Sequence, residues 1–209
     1  MFPSSTYIEK VDFAFLFITA ISAALLLLVT VLMIYFVFKY NHKKNKKAVN
    51  IHGSVPLEIF WTVVPIILVL GMFYFGWMGY SEASNPPANS MEVKVTGQMW
   101  KWTFDYPEGF STDTLYVPQG VPVKLNLNSA DVNHSFYIPA FRIKRDVLPN
   151  RENFLWFNAE KTGSFDVACA EYCGLRHSYM YTKVIVLTDS DYESWKKQKI
   201  EKSSAGQAI

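Results

Sequence analysis

The sequence predicts a two-helix transmembrane hairpin followed by an all-β sandwich or barrel that ends in a short helix. Three observations carry this reading. Two long uncharged runs lie within the first 81 residues, seven short stretches rich in β-branched and aromatic residues follow, and a charged segment closes the chain. Charge divides the 209 residues in the same way. Residues 1–90 hold four acids (Glu9, Asp12, Glu58 and Glu82) and six bases, whereas residues 91–209 hold fourteen of each. A charge-poor apolar part suits a bilayer, and a balanced part suits water. A net charge of +2 with bases evenly offset gives no strong phosphate-binding field, which argues against a nucleic-acid partner. An aromatic content of 16% excludes disorder, and two cysteines are too few for a disulfide framework.

The first run, Phe13 to Phe38, contains no charge. As a helix it would reach roughly 39 Å, against a hydrocarbon core of about 30 Å. It is much longer than the apolar core of a signal peptide and has no basic segment before it, so a retained helix over about 13–38 is expected. The second run, Ile59 to Ser81, predicts a helix over about 58–80 despite Pro65, because neighbouring helices can satisfy the hydrogen bond that proline removes. The loop 39–56 carries Lys39, Lys43, Lys44, Lys46 and Lys47 with no acid. The excess of positive charge places that loop in the cytoplasm. Both termini, and residues 82–209, then lie on the outer, periplasmic face of a bacterial plasma membrane. Glu58 sits at the cytoplasmic edge of the second run. A carboxylate there either reaches water at the interface or marks a proton path, and position alone does not choose.

Residues 82–90, with Pro86 and Pro87, form a linker, so the chain divides into a hairpin (1–81) and an exposed domain (91–209). Strands are expected at Met91–Thr96, Trp100–Tyr106, Val121–Leu127, Ser135–Ile138, Asn153–Phe157, Ser164–Cys169 and Tyr179–Leu187. Ser190 with Glu193 reads as a capping box for the closing helix.

Chemistry concentrates in Cys169-Ala170-Glu171-Tyr172-Cys173-Gly174-Leu175-Arg176-His177-Ser178-Tyr179-Met180 and in His134 far upstream. In an oxidising compartment two cysteines four apart could form a disulfide. Thiolate, imidazole and thioether within twelve residues instead form a soft ligand set suited to copper, whereas methionine is a poor ligand for zinc. A mononuclear blue-copper site needs one cysteine; here there are two, enough to bridge a pair of copper ions. No serine, lysine or carboxylate arrangement competes as a nucleophile.

With these residues in view, the chain resembles subunit II of the haem–copper cytochrome c oxidases. The resemblance runs through the two helices, Leu57-Glu58-Ile59-Phe60-Trp61-Thr62 with Pro65, Gly97-Gln98-Met99-Trp100-Lys101-Trp102, His134-Ser135-Phe136-Tyr137-Ile138-Pro139 and the block Cys169–Met180. It implies a cupredoxin-like domain holding the dinuclear copper A centre. Cys169 and Cys173 would bridge both coppers, His134 and Met180 would complete one, and His177 and the backbone carbonyl of Glu171 the other. The Glu171 side chain would reach a magnesium ion shared with subunit I. Trp100 would be the tryptophan through which electrons enter, although Trp100 and Trp102 alternate on a strand and spacing alone does not separate them. Glu58 would stand at the mouth of a proton pathway.

The partners implied are subunit I and other oxidase subunits, membrane lipids, and a cytochrome c or a haem c domain as donor, alone or in a supercomplex. Electrons would pass to haem a in subunit I, where oxygen is reduced with proton pumping. Asp105, Glu108, Asp113 and Asp131 are candidates for a patch that steers a basic cytochrome. Two departures matter. Pro149-Asn150-Arg151 stands where the family usually has Pro-Gly-Arg, and asparagine tolerates the positive φ such a turn requires. No Cys-x-x-Cys-His is present, so no covalent haem is expected. Competing readings are a quinol oxidase subunit, whose relatives generally lack the copper ligands, a membrane-tethered copper carrier, and a thiol–disulfide protein.

Overall fold

The computed structural model describes Ser5 and residues 8–47, 49–50 and 52–206. Positions 48 and 51 of the expected loop and the last three residues of the tail lie outside the described residues. The chain forms two compact units, residues 10–80 and a second unit built from residue 81 onward together with the described residues up to Glu9.

The first unit holds most of helix α1 (Ile8–Lys39) and most of α2 (Val55–Ala83), both long and apolar enough to cross a membrane. Each exceeds its uncharged run. α1 begins five residues before Phe13, where Glu9 in the first turn suits the positive end of the helix dipole, and Lys39 in its last turn suits the negative end. Pro65 lies inside α2 without ending it. Phe75 of α2 meets Phe13 and Phe17 of α1 edge-on at 5.2 and 4.9 Å. α2 continues through Ala83, so the first residues of the expected linker are helical.

The second unit is a two-sheet sandwich. Its strands are β1 (Met91–Gln98), β2 (Lys101–Asp105), β3 (Ser111–Thr112), β4 (Leu115–Pro118), β5 (Pro122–Ser129), β6 (His134–Ile138), β7 (Ile143–Val147), β8 (Asn153–Asn158), β9 (Gly163–Cys169) and β10 (Tyr181–Leu187). One sheet runs β3-β2-β1-β5-β8 and the other β4-β10-β9-β6-β7. β1 pairs with β5, and β4 with β10, in parallel; the other ladders are antiparallel. Alternation explains the core. Val93 and Val95 of β1, Val123, Leu125 and Leu127 of β5, and Val184 and Val186 of β10 all point inward and are buried. Phe104, Phe136, Phe141 and Phe157 fill the space between the sheets.

All seven expected strands form, within two residues of their expected ends. β3, β4 and β7 were not expected: β3 is two residues long, and Ile143-Lys144-Arg145-Asp146-Val147 is mostly charged. β7 forms because β6 templates it, with Phe136 opposite Arg145 and Ile138 opposite Ile143. Asn150 does adopt a left-handed φ of 57°. The closing helix α3 (Asp189–Gly206) is longer than expected and its cap differs. The Thr188 hydroxyl accepts the Asp191 N–H at 3.3 Å and donates to the Asp191 carboxylate at 2.7 Å, so the capping residues are Thr188 and Asp191. Glu193 pairs instead with Lys196 at 2.6 Å. Trp195 of α3 stacks on Tyr116 with ring centroids 4.4 Å apart, which anchors the helix to β4.

Candidate metal centre

Three pieces of backbone converge at one end of the sandwich. β6 starts with His134, β9 ends with Cys169, and the loop between β9 and β10 carries Cys173, His177 and Met180. β6 and β9 are hydrogen-bonded neighbours, with Phe136 opposite Cys169. The loop is closed at its base, where the Cys169 N–H donates to the Met180 carbonyl at 3.1 Å and the Ala170 N–H to the Ser135 carbonyl at 3.0 Å. A single turn over His177–Tyr179 brings the second half of the loop back to the first.

The donor atoms form a ring. Cys169 Sγ and Cys173 Sγ are 3.7 Å apart and not bonded to each other. Cys169 Sγ lies 3.8 Å from His134 Nδ1 and 3.3 Å from the Glu171 carbonyl oxygen. Cys173 Sγ lies 3.6 Å from His177 Nδ1 and 3.8 Å from Met180 Sδ. Sulfur and nitrogen donors on one tetrahedral metal, at about 2.3 and 2.0 Å from it, stand about 3.5–3.8 Å from each other. The spacings fit shared metal ligation. The donors divide into two sets, with His134 and the Glu171 carbonyl beside Cys169 and with His177 and Met180 beside Cys173. His134 and Met180 are fully buried, both cysteines nearly so, and His177 is half-buried at the surface.

Burial works against the Cys169 thiolate, but His134 and the backbone at Ser135 and Glu171 outweigh it and draw the thiol down to about 6. Burial and the neighbouring Cys169 push Cys173 up to about 12. The pair thus gives up one proton readily and holds the other until a cation replaces it.

Sequence reasoning missed the support of His134. Its Nδ1 faces Cys169, and its Nε2 lies 2.8 Å from Asp131 Oδ1. The same carboxylate accepts the Val132 N–H at 2.6 Å and the Met99 N–H at 2.8 Å. Asp131 is therefore an orienting partner of His134 more than a free steering charge, as metal-binding histidines usually require. The Asp-x-x-His spacing of Asp131 and His134 was the available signal.

Trp100 occupies the tight turn between β1 and β2, and its indole N–H donates to the Cys173 carbonyl at 3.2 Å. Trp102 instead is buried edge-on against His134, with centroids 5.9 Å apart. The two tryptophans thus take different places: one touches the cysteine loop from outside, the other backs the imidazole from the core. The Glu171 carboxylate points away from the donors and pairs with Lys144 at 2.8 Å, which also holds Asp146 at 3.1 Å. Glu58 belongs to the helical unit, exposed in the first turn of α2.

Fold and donors define a class: a cupredoxin-like metal domain carried behind a pair of membrane-crossing helices. The chain matches the family described as cytochrome c oxidase subunit II, transmembrane domain, over residues 2–75, and the corresponding periplasmic domain over residues 109–188. It is 32% identical to cytochrome c oxidase subunit 2 of Cereibacter sphaeroides, over 94% of this chain and 77% of that protein. The crystal structure of the periplasmic domain of subunit II of the Bradyrhizobium japonicum cytochrome oxidase superposes with a TM-score of 0.54 at 32% identity. That match covers 56% of this chain and 99% of the other. A second structure, a mixed disulfide between a thioredoxin-like protein and a cytochrome c oxidase subunit II, matches with a TM-score of 0.51 at 31% identity, over 56% and 96%. This chain belongs to the cytochrome c oxidase subunit II family. It is a membrane-anchored subunit of a cytochrome c oxidase, an oxidoreductase, and its His134, Cys169 and Cys173 cluster is consistent with a copper site.

Proposed function

We propose that this chain accepts electrons one at a time from a cytochrome c, or a haem c domain, at a dinuclear copper A centre and passes them to haem a in subunit I. The observation that carries this is the buried pair of thiols, with His134 and the Glu171 carbonyl beside Cys169 and with His177 and Met180 beside Cys173. A copper pair held there supplies one-electron transfer with little rearrangement of its ligands.

The protein's own part is to hold and insulate. Cys169 and Cys173 would be shared by the two metals; His134 and Met180 would complete the ligands of one, His177 and the Glu171 carbonyl those of the other. Asp131 fixes the His134 ring, and the core around Met180 excludes water. Trp100 receives the electron at the surface, and its hydrogen bond to the Cys173 carbonyl gives it a short bonded route to the cysteine loop. The Glu171 side chain, which pairs with Lys144, would serve a magnesium ion shared with subunit I. Tyr172, Leu175, Tyr179 and Tyr181 are all strongly exposed around this loop and form the contact for the other oxidase subunits. Glu58 stands at a proton pathway, and oxygen reduction with proton pumping belongs to subunit I. The domain and both termini face outward from a bacterial plasma membrane, with the 39–56 loop inside.

The thioredoxin-like partner of the related subunit favours one further step for the same thiols: reduction by such a protein before copper is loaded. The test is copper content and electron paramagnetic resonance of the purified full chain. Two coppers per chain sharing one unpaired electron are expected; one copper with a mononuclear spectrum refutes the reading.

A further inference from the structure

Gly97 lies near the end of β1, at the place where that strand passes the metal site. It cannot withdraw from its neighbours. Its backbone is paired with Trp102 on β2 and with Ser129 on β5, and its carbonyl accepts the Ala130 N–H at 2.9 Å. The missing side chain faces inward. A Cβ there would lie 3.0 Å from Trp102 Cζ3, 3.2 Å from His134 Cδ2 and 3.4 Å from His134 Cγ. Contacts that close require the neighbours to move by a few tenths of an ångström. Neither is free to do so at no cost: Trp102 and His134 are both buried, they pack edge-on against each other, and Asp131 holds the far nitrogen of the imidazole.

We propose that Gly97 is a positioning residue of the metal centre: its lack of a side chain lets the His134 ring lie directly on β1 and so sets where Nδ1 stands relative to the Cys169 sulfur. The proposal rests on the copper reading above. A methyl group at residue 97 would tilt or push the ring while leaving every ligand present. The electron spin of the centre and its grip on copper then report the displacement, because both depend on the metal–imidazole geometry. Overpacking of this kind is commonly worth enough to weaken copper retention about tenfold.

The experiment compares the full chain with Gly97→Ala and with Val95→Ala, all loaded with copper. Val95 lies on the same strand, is fully buried, and points into the core two residues away. The expected result is an altered copper hyperfine pattern, a shifted midpoint potential and about tenfold faster copper loss to a chelator in Gly97→Ala. Val95→Ala should lower the melting temperature and leave the spectrum as in the wild type. A wild-type spectrum and potential in Gly97→Ala overturn the proposal, as do equal spectral changes in both variants that follow only their melting temperatures. A wild-type chain that takes up no copper sinks the underlying functional reading instead. Packing is also read without metal, in the wild-type chain with labelled glycine and histidine. A nuclear Overhauser contact between the Gly97 α protons and the His134 ring is expected, and its absence overturns the proposal even if Gly97→Ala does not fold.

Discussion

Asp131 offers the sharpest energetic test. Its carboxylate accepts from Met99, Val132 and His134, but the three bonds are not equivalent. The two backbone donors lie where water replaces a lost partner. His134 is fully buried, and its Nε2 has no such replacement, while the Asp131 side chain is only 20% exposed. A hydrogen bond to a charged group contributes about 1.5–3 kcal/mol, and orphaning a buried donor costs a similar amount, so Asp131→Ala should destabilise the sandwich by about 2 kcal/mol. At roughly 4 °C per kcal/mol for a domain of this size, the melting temperature should fall by about 8 °C. The assay is thermal unfolding of the copper-free, reduced chain followed by near-ultraviolet circular dichroism, in a double-mutant cycle with His134→Ala. A coupling of about 2 kcal/mol isolates the pair from the two backbone bonds; a coupling below about 0.5 kcal/mol, the limit of simple additivity, refutes the reasoning.

Cys169→Ser and His177→Ala should each abolish the two-copper spectrum, read by electron paramagnetic resonance beside metal analysis. In the reduced, copper-free chain, alkylation followed by mass spectrometry should label Cys169 with a midpoint near 6, because its pKa falls below the ordinary thiol value and the thiolate persists as pH drops to that point. Cys173, pushed up to about 12, should stay unlabelled at neutral pH. Copper must displace that second proton, so the apparent affinity for copper should rise by about tenfold per pH unit between about pH 7 and 9. Neutralising the exposed acids Glu108 and Asp113 should slow oxidation of a basic cytochrome c by the assembled oxidase and flatten its salt dependence; unchanged rates at low ionic strength would remove them from docking.

The helices were legible because length and absence of charge suffice for a membrane span, and their true ends were not, because capping residues and dipoles extend a helix past its apolar run. Strands with inward alternation, such as Val123-Lys124-Leu125-Asn126-Leu127, declared themselves. β7 did not, since its charged residues become a strand only when β6 lies alongside. The residues of the metal cluster were legible as donor types at short spacing. Their supports were less so. Asp131 looked like surface charge, Gly97 looked like one glycine among ten, and Lys144 gave no sign that it would meet Glu171 across 27 residues of chain. The places of Gly97 and Lys144 depend on strand register, which a local reading of composition does not supply, whereas Asp131 had its three-residue spacing from His134 as a signal.

The bonds that close the base of the cysteine loop bear on how the subunit is put together. Cys169 to Met180 and Ala170 to Ser135 are main-chain bonds between elements already committed to the sandwich, so the cradle owes its outline to folding rather than to its cargo. Zinc fingers work the other way round, with the ion acting as the nucleus about which the polypeptide orders. Here delivery becomes a late step in manufacture. On the proposed reading copper meets a finished receptacle, and a chain denied copper should stay folded rather than misfold.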